Sequence, residues 1–75
     1  MNRKKEVRMK GVLLLKGDAN WDYYLYNNTV YSIANNEYCE DEYFGKIDHI
    51  RKLYRNGMVK GTLTNTGREL IVDRG

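Results

Sequence analysis

With 75 residues, 41% of them apolar and 31% charged, the chain has the balance of one small folded core and too little length to wall a deep pocket. A single cysteine, Cys39, excludes an internal disulfide, and one cysteine with one histidine cannot assemble a structural zinc site. The formal charge of +3 is concentrated at one end: Arg3, Lys4, Lys5, Arg8 and Lys10 against Glu6 make residues 1–10 net +4, which leaves the remainder at −1.

That distribution predicts a flexible basic tail over residues 1–8 and one α+β domain over 9–75. The apolar run behind the basic start, Val12 to Leu15, is too short for an export signal or a membrane span, and the lone thiol suits a reducing compartment. A cytoplasmic protein with no membrane partner is expected.

Met9 to Lys16 reads as an interior strand, because Val12 and Leu14 alternate with Leu13 and Leu15 and both faces are apolar. Gly17-Asp18-Ala19-Asn20 has turn composition. Trp21 to Tyr26 and Thr29 to Ala34 follow as two β-prone runs, joined by Asn27-Asn28. Asparagine tolerates positive φ, so this pair closes a two-residue hairpin. The turn sets the register: Tyr26 faces Thr29, Leu25 faces Val30, Tyr24 faces Tyr31 and Trp21 faces Ala34. Alternation then puts Trp21, Tyr23, Leu25, Val30 and Ala34 on a core side. Tyr24, Tyr26, Thr29, Tyr31 and Ile33 fall on a tyrosine-rich outer side.

A helix is expected from Glu40 to Asn56, with Tyr43, Phe44, Ile47, Ile50, Leu53 and Tyr54 as its apolar stripe. In this reading Glu40, Asp41 and Glu42 occupy its start and Arg51, Lys52 and Arg55 its end, matching the helix dipole. Gly45 lies inside, and Gly57 takes the left-handed stop. Met58 to Leu63 and Glu69 to Val72 read as two further strands around an Asn65-Thr66-Gly67 turn. The expected order is β-β-β-α-β-β, an antiparallel sheet packed on one helix.

No catalytic constellation is visible. His49 falls on the polar side of the expected helix, and Cys39 stands among Glu37, Glu40 and Asp41, which oppose a thiolate. The acidic cluster lacks the spacing of a calcium loop, and there is no phosphate-cradling glycine motif. No enzyme activity, metal or cofactor is expected. Two features suit a macromolecular partner. Tyr24, Tyr26 and Tyr31, with the acidic residues Glu40, Asp41 and Glu42, offer a protein-binding surface, since tyrosine buries a rigid ring and keeps a polar handle. Alternatively, the same tyrosines stack on bases while Arg3, Lys4, Lys5, Arg8, Lys10, Lys16, Arg51, Lys52 and Arg55 meet phosphates.

A three-stranded sheet followed by a helix resembles, in arrangement, the small sheet-reading DNA-binding domains of the integrase-arm type. The matching pieces are Lys10-Gly11-Val12, Trp21 to Tyr26, Val30 to Ala34 and the helix from Glu40. The strands that would read DNA hold Asp22 and almost no arginine. Together with the near-neutral body, this favours a protein partner, most simply a host protein, with a homodimer as a further form of assembly. The asparagine-, lysine- and tyrosine-rich, proline-free composition suits a phage or mobile-element accessory protein that inhibits or regulates a host or defence protein.

Overall fold

A computed structural model of the chain describes residues 3–36 and 42–75. In chain order the elements are α1 (Arg3–Lys10), β1 (Val12–Gly17), β2 (Trp21–Tyr26), β3 (Thr29–Ala34), β4 (Glu42–Gly45), α2 (Ile47–Arg55), β5 (Gly61–Leu63) and α3 (Asn65–Gly67), which continues as a π-helical segment, Arg68–Asp73. The fold is α+β. The strands make one antiparallel sheet in the order β4-β3-β2-β1-β5, so β1 is an interior strand, as its two apolar faces require.

The β2–β3 hairpin has the expected register throughout, from Tyr26 opposite Thr29 to Trp21 opposite Ala34. Its turn residues Asn27 and Asn28 both take positive φ, 52° and 61°, the backbone of a turn whose twist matches the strands it joins. A β-branched residue at the second position would be strained there. Asn28→Val is therefore expected to cost about 1–2 kcal/mol in a denaturant titration, with Asn28→Gly at least as stable as the parent.

The core lies on the Tyr23–Leu25–Val30 side of the sheet. Leu14, Val30, Ile50 and Ile71 form its buried centre, and Ile47, Tyr54, Leu63 and Leu70 pack around it. A bulge in β1, where Leu13 is opposite Tyr24 and Leu15 opposite Tyr23, lets the adjacent residues Leu14 and Leu15 both be fully buried.

Four expectations are corrected. The helix begins at Ile47, because Gly45 has a φ of 138°, which no helix accommodates, and Lys46 is extended. Tyr43 and Phe44 belong instead to β4, opposite β3. The stripe that remains, Ile47, Ile50 and Tyr54, does face the core, and Gly57 (φ 75°) takes the expected left-handed stop. Second, the strand expected over Met58–Leu63 shortens to Gly61–Leu63.

Third, the Glu69–Val72 strand is replaced by the C-terminal helical segment. Thr64 caps its start: the Thr64 hydroxyl accepts a hydrogen bond from the Gly67 N–H (3.0 Å) and lies 2.6 Å from the Leu13 carbonyl, to which it donates. Gly67 is buried directly against the Leu14 backbone, where a Cβ has no room. The Arg51 Nε then donates to the Leu70 carbonyl (2.6 Å), tying this segment to α2. The core side of the sheet thus packs on two helical pieces.

Fourth, residues 3–8, expected in a flexible tail, and Met9 and Lys10, expected to open the first strand, form the helix Arg3–Lys10, whose Val7 is fully buried.

Candidate functional site

The face of the sheet opposite the core carries the tyrosines. Tyr24 and Tyr31 are cross-strand partners, Leu13 stands opposite Tyr24 in β1, and Tyr43 stands opposite Tyr31 in β4. Three tyrosines therefore occupy one row across β2, β3 and β4. Tyr24, Tyr26 and Tyr31 are each half-buried. Sequence reading missed Tyr43 because its spacing also matched the helical stripe, and pairing of β4 with β3 is a long-range event.

Helix α1 packs on β2 and β1 and lies over this face. The Tyr26 hydroxyl donates to Glu6 Oε1 at 2.8 Å, and Arg8 donates to the Ala34 carbonyl at 2.6 Å. These bonds anchor the helix near both ends of the hairpin. Val7 is its buried residue, and Ile33, on the same face as Tyr31 by alternation, is also almost completely buried. Lys5, Arg8, Met9 and Lys10 are exposed, Met9 to 73%. Tyr26 is thus a support for α1, while Tyr24 and Tyr31 are paired with each other on the same side of the sheet.

The acidic residues expected beside the tyrosines divide. Glu42 is in β4 opposite Ser32, away from any helix start, whereas Glu40, Asp41 and Cys39 lie outside the described residues. The anion in the first turn of α2 is Asp48. The basic residues divide as well. Arg3, Lys4, Lys5, Arg8 and Lys10 belong to α1 on the tyrosine side, and Lys16 stands opposite Asp22 in β2. Arg51, Lys52 and Arg55 are on α2, on the core side of the sheet. Arg51, moreover, spends its guanidinium on Leu70 and on Asp48 (2.8 Å). The cations thus divide between α1, on the tyrosine side of the sheet, and α2, on its core side.

Asp22, the acid in the middle of an aromatic strand, has a structural task. Its Oδ1 accepts from the Gly17 N–H at 3.2 Å and from the Asn35 side-chain amide at 3.4 Å, bracing the β1–β2 turn. Beside that turn is an open cleft of about 410 Å³. Trp21 and Tyr23 form one wall, Met58 and Val59 the other, and the Asp18 N–H donates to the Lys60 carbonyl (3.0 Å) between the two loops. Met58 is 73% exposed and Val59 is buried. This cleft was not legible in the sequence, since it exists only because the loop after α2 returns beside Trp21. His49 is exposed on α2, as expected from its place off the stripe. Among the described residues, no three His, Cys, Asp or Glu side chains come together in a way that would hold a metal, and no helix is long and apolar enough to cross a membrane.

No family model matches this chain, and neither a curated protein nor a solved structure matches it.

Proposed function

We propose that the chain is a non-catalytic protein-binding module that inhibits or regulates a larger host or defence protein, and that it engages this partner through the tyrosine side of the sheet. The observation that carries the reading is the cross-strand pair of Tyr24 and Tyr31 on the face opposite the core, with Tyr43 next to Tyr31 in the β3–β4 register. Half-buried tyrosines are preorganised for binding: the ring is held in place by its neighbours, so little side-chain entropy is lost when a partner covers the rest. The division of the basic residues between two faces supports a protein over a nucleic acid, which needs its phosphate contacts on one continuous surface. Composition supports the category of a phage or mobile-element regulator.

The test uses Tyr24→Ala with Tyr31→Ala. Removing this cross-strand pair should lower stability by about 1 kcal/mol, because paired aromatics on a sheet contribute modestly. A tyrosine central to an interface costs about 2 kcal/mol or more on truncation, so the double variant should lose capture of the partner from a nuclease-treated host lysate. It should still melt cooperatively. A double variant that folds and captures the same protein as the parent would remove this face from the binding site.

A further inference from the structure

We infer that the partner surface recognised by the tyrosine side is an acidic protein surface carrying apolar side chains, met by Lys5, Arg8, Met9 and Lys10 of α1. This rests on the protein-binding reading above and names the chemistry of the partner. Helix α1 covers the tyrosine face with Val7 inward, so what a partner meets there is the outer side of α1 together with the tyrosines of that face. Lys5 and Met9 are four residues apart, which makes them neighbours on that outer side, and Arg8, three residues from Lys5, flanks them with its guanidinium bonded to the Ala34 carbonyl. All three are exposed, as is Lys10. Residues 1–10 carry net +4 while the rest of the chain carries −1, so the positive field of the molecule is centred on this helix. A partner with the opposite sign is attracted and oriented by it.

The apolar member decides between anionic partners. Met9, 73% exposed, stands among the cations. A phosphate backbone offers it nothing, whereas methionine and tyrosine are both enriched where proteins meet. The helix is also short, about 12 Å for its eight residues. The cations of α2, which would extend a nucleic-acid track, are on the other side of the sheet. Glu6, fixed by Tyr26, adds a negative charge within the same helix, which suits carboxylates interspersed with donors better than a uniform run of phosphates.

The full chain is titrated at low ionic strength with four probes: poly-L-glutamate, a glutamate–tyrosine copolymer and, as the nucleic-acid arm, duplex DNA and single-stranded RNA. The copolymer should bind most tightly. Lys5→Glu with Lys10→Glu, which leaves the Arg8–Ala34 bond in place, should weaken it by about tenfold or more. Met9→Ser should erase the preference for the copolymer over poly-L-glutamate. If the reversed-charge variant fails to melt cooperatively, Lys5→Gln with Lys10→Gln supplies the same comparison. Tighter binding of DNA or RNA than of the copolymer would overturn the inference in favour of nucleic acid. Copolymer affinity unchanged to within about twofold in a folded charge variant would overturn it outright. Lysate capture separates the two readings. Capture lost with the tyrosine pair but kept with charge reversal leaves a protein-binding face whose partner is not acidic, and capture kept with the tyrosine pair removed overturns the face itself.

Discussion

Ile50→Ala is expected to be the most destabilising single truncation in the core, removing a large share of the protein's stability. Ile50 is fully buried at the point where α2 meets Leu14, Val30 and Ile71, so it joins the helix, two strands and the C-terminal segment. Truncating a buried isoleucine to alanine costs about 2–5 kcal/mol, through lost transfer energy and the cavity left behind. A chain of 75 residues at roughly 0.05–0.15 kcal/mol per residue has a total stability of about 4–11 kcal/mol, so this one truncation removes a large share of it. The neighbouring Ile47 gives an internal comparison. It is half-buried at the margin of the same cluster, so Ile47→Ala should cost clearly less. Denaturant titrations of the two variants check the order. Equal costs, or a melting temperature for Ile50→Ala within a few degrees of the parent, would mean that α2 does not close the core as described.

Removing residues 1–10 is the second large effect, and its sign is opposite to what a flexible tail implies. The burial of Val7 alone is worth about 1.5–3 kcal/mol. The deletion also removes the Glu6–Tyr26 and Arg8–Ala34 bonds and bares Ile33 with the adjoining tyrosines. The shortened chain should therefore melt at lower temperature and bind a hydrophobic dye that the full chain does not. Val7→Asp should reproduce most of the loss, because an unpaired carboxylate has no place under the helix, while Lys5→Ala at an exposed position should stay within about 0.5 kcal/mol of the parent. A deletion that melts like the full chain would show α1 to be an ornament of the sheet, and the cationic surface argued above would lose its fixed position.

The candidate binding face was half legible before any tertiary information. Tyr24 and Tyr31 follow from the turn, whereas the role of Tyr26 as a support, the arrival of Tyr43 and the covering helix do not. Hydrophobic periodicity also misassigned Tyr43 and Phe44, because two apolar residues in succession fit a helix stripe as well as a short edge strand.

By itself the sequence determined what is local. Asn27-Asn28 can adopt the two positive φ angles of a tight hairpin, and the strands beside it then have only one register that keeps Leu25 and Val30 together. Ile47, Ile50 and Tyr54 recur at helical spacing, and Gly57 ends that helix by a conformation few other residues take readily. The tertiary structure decided whatever depends on a distant partner. Residues 3–10 have one apolar position suited to burial, too little to hold a helix in water, and the hairpin face supplies the missing surface. Gly45 stops the helix short of Tyr43 once β3 offers its edge to Glu42–Gly45. Leu70 and Ile71 are adjacent, and a strand would send them to opposite faces; in the helical segment capped by Thr64 both pack against the one core that this chain is long enough to build.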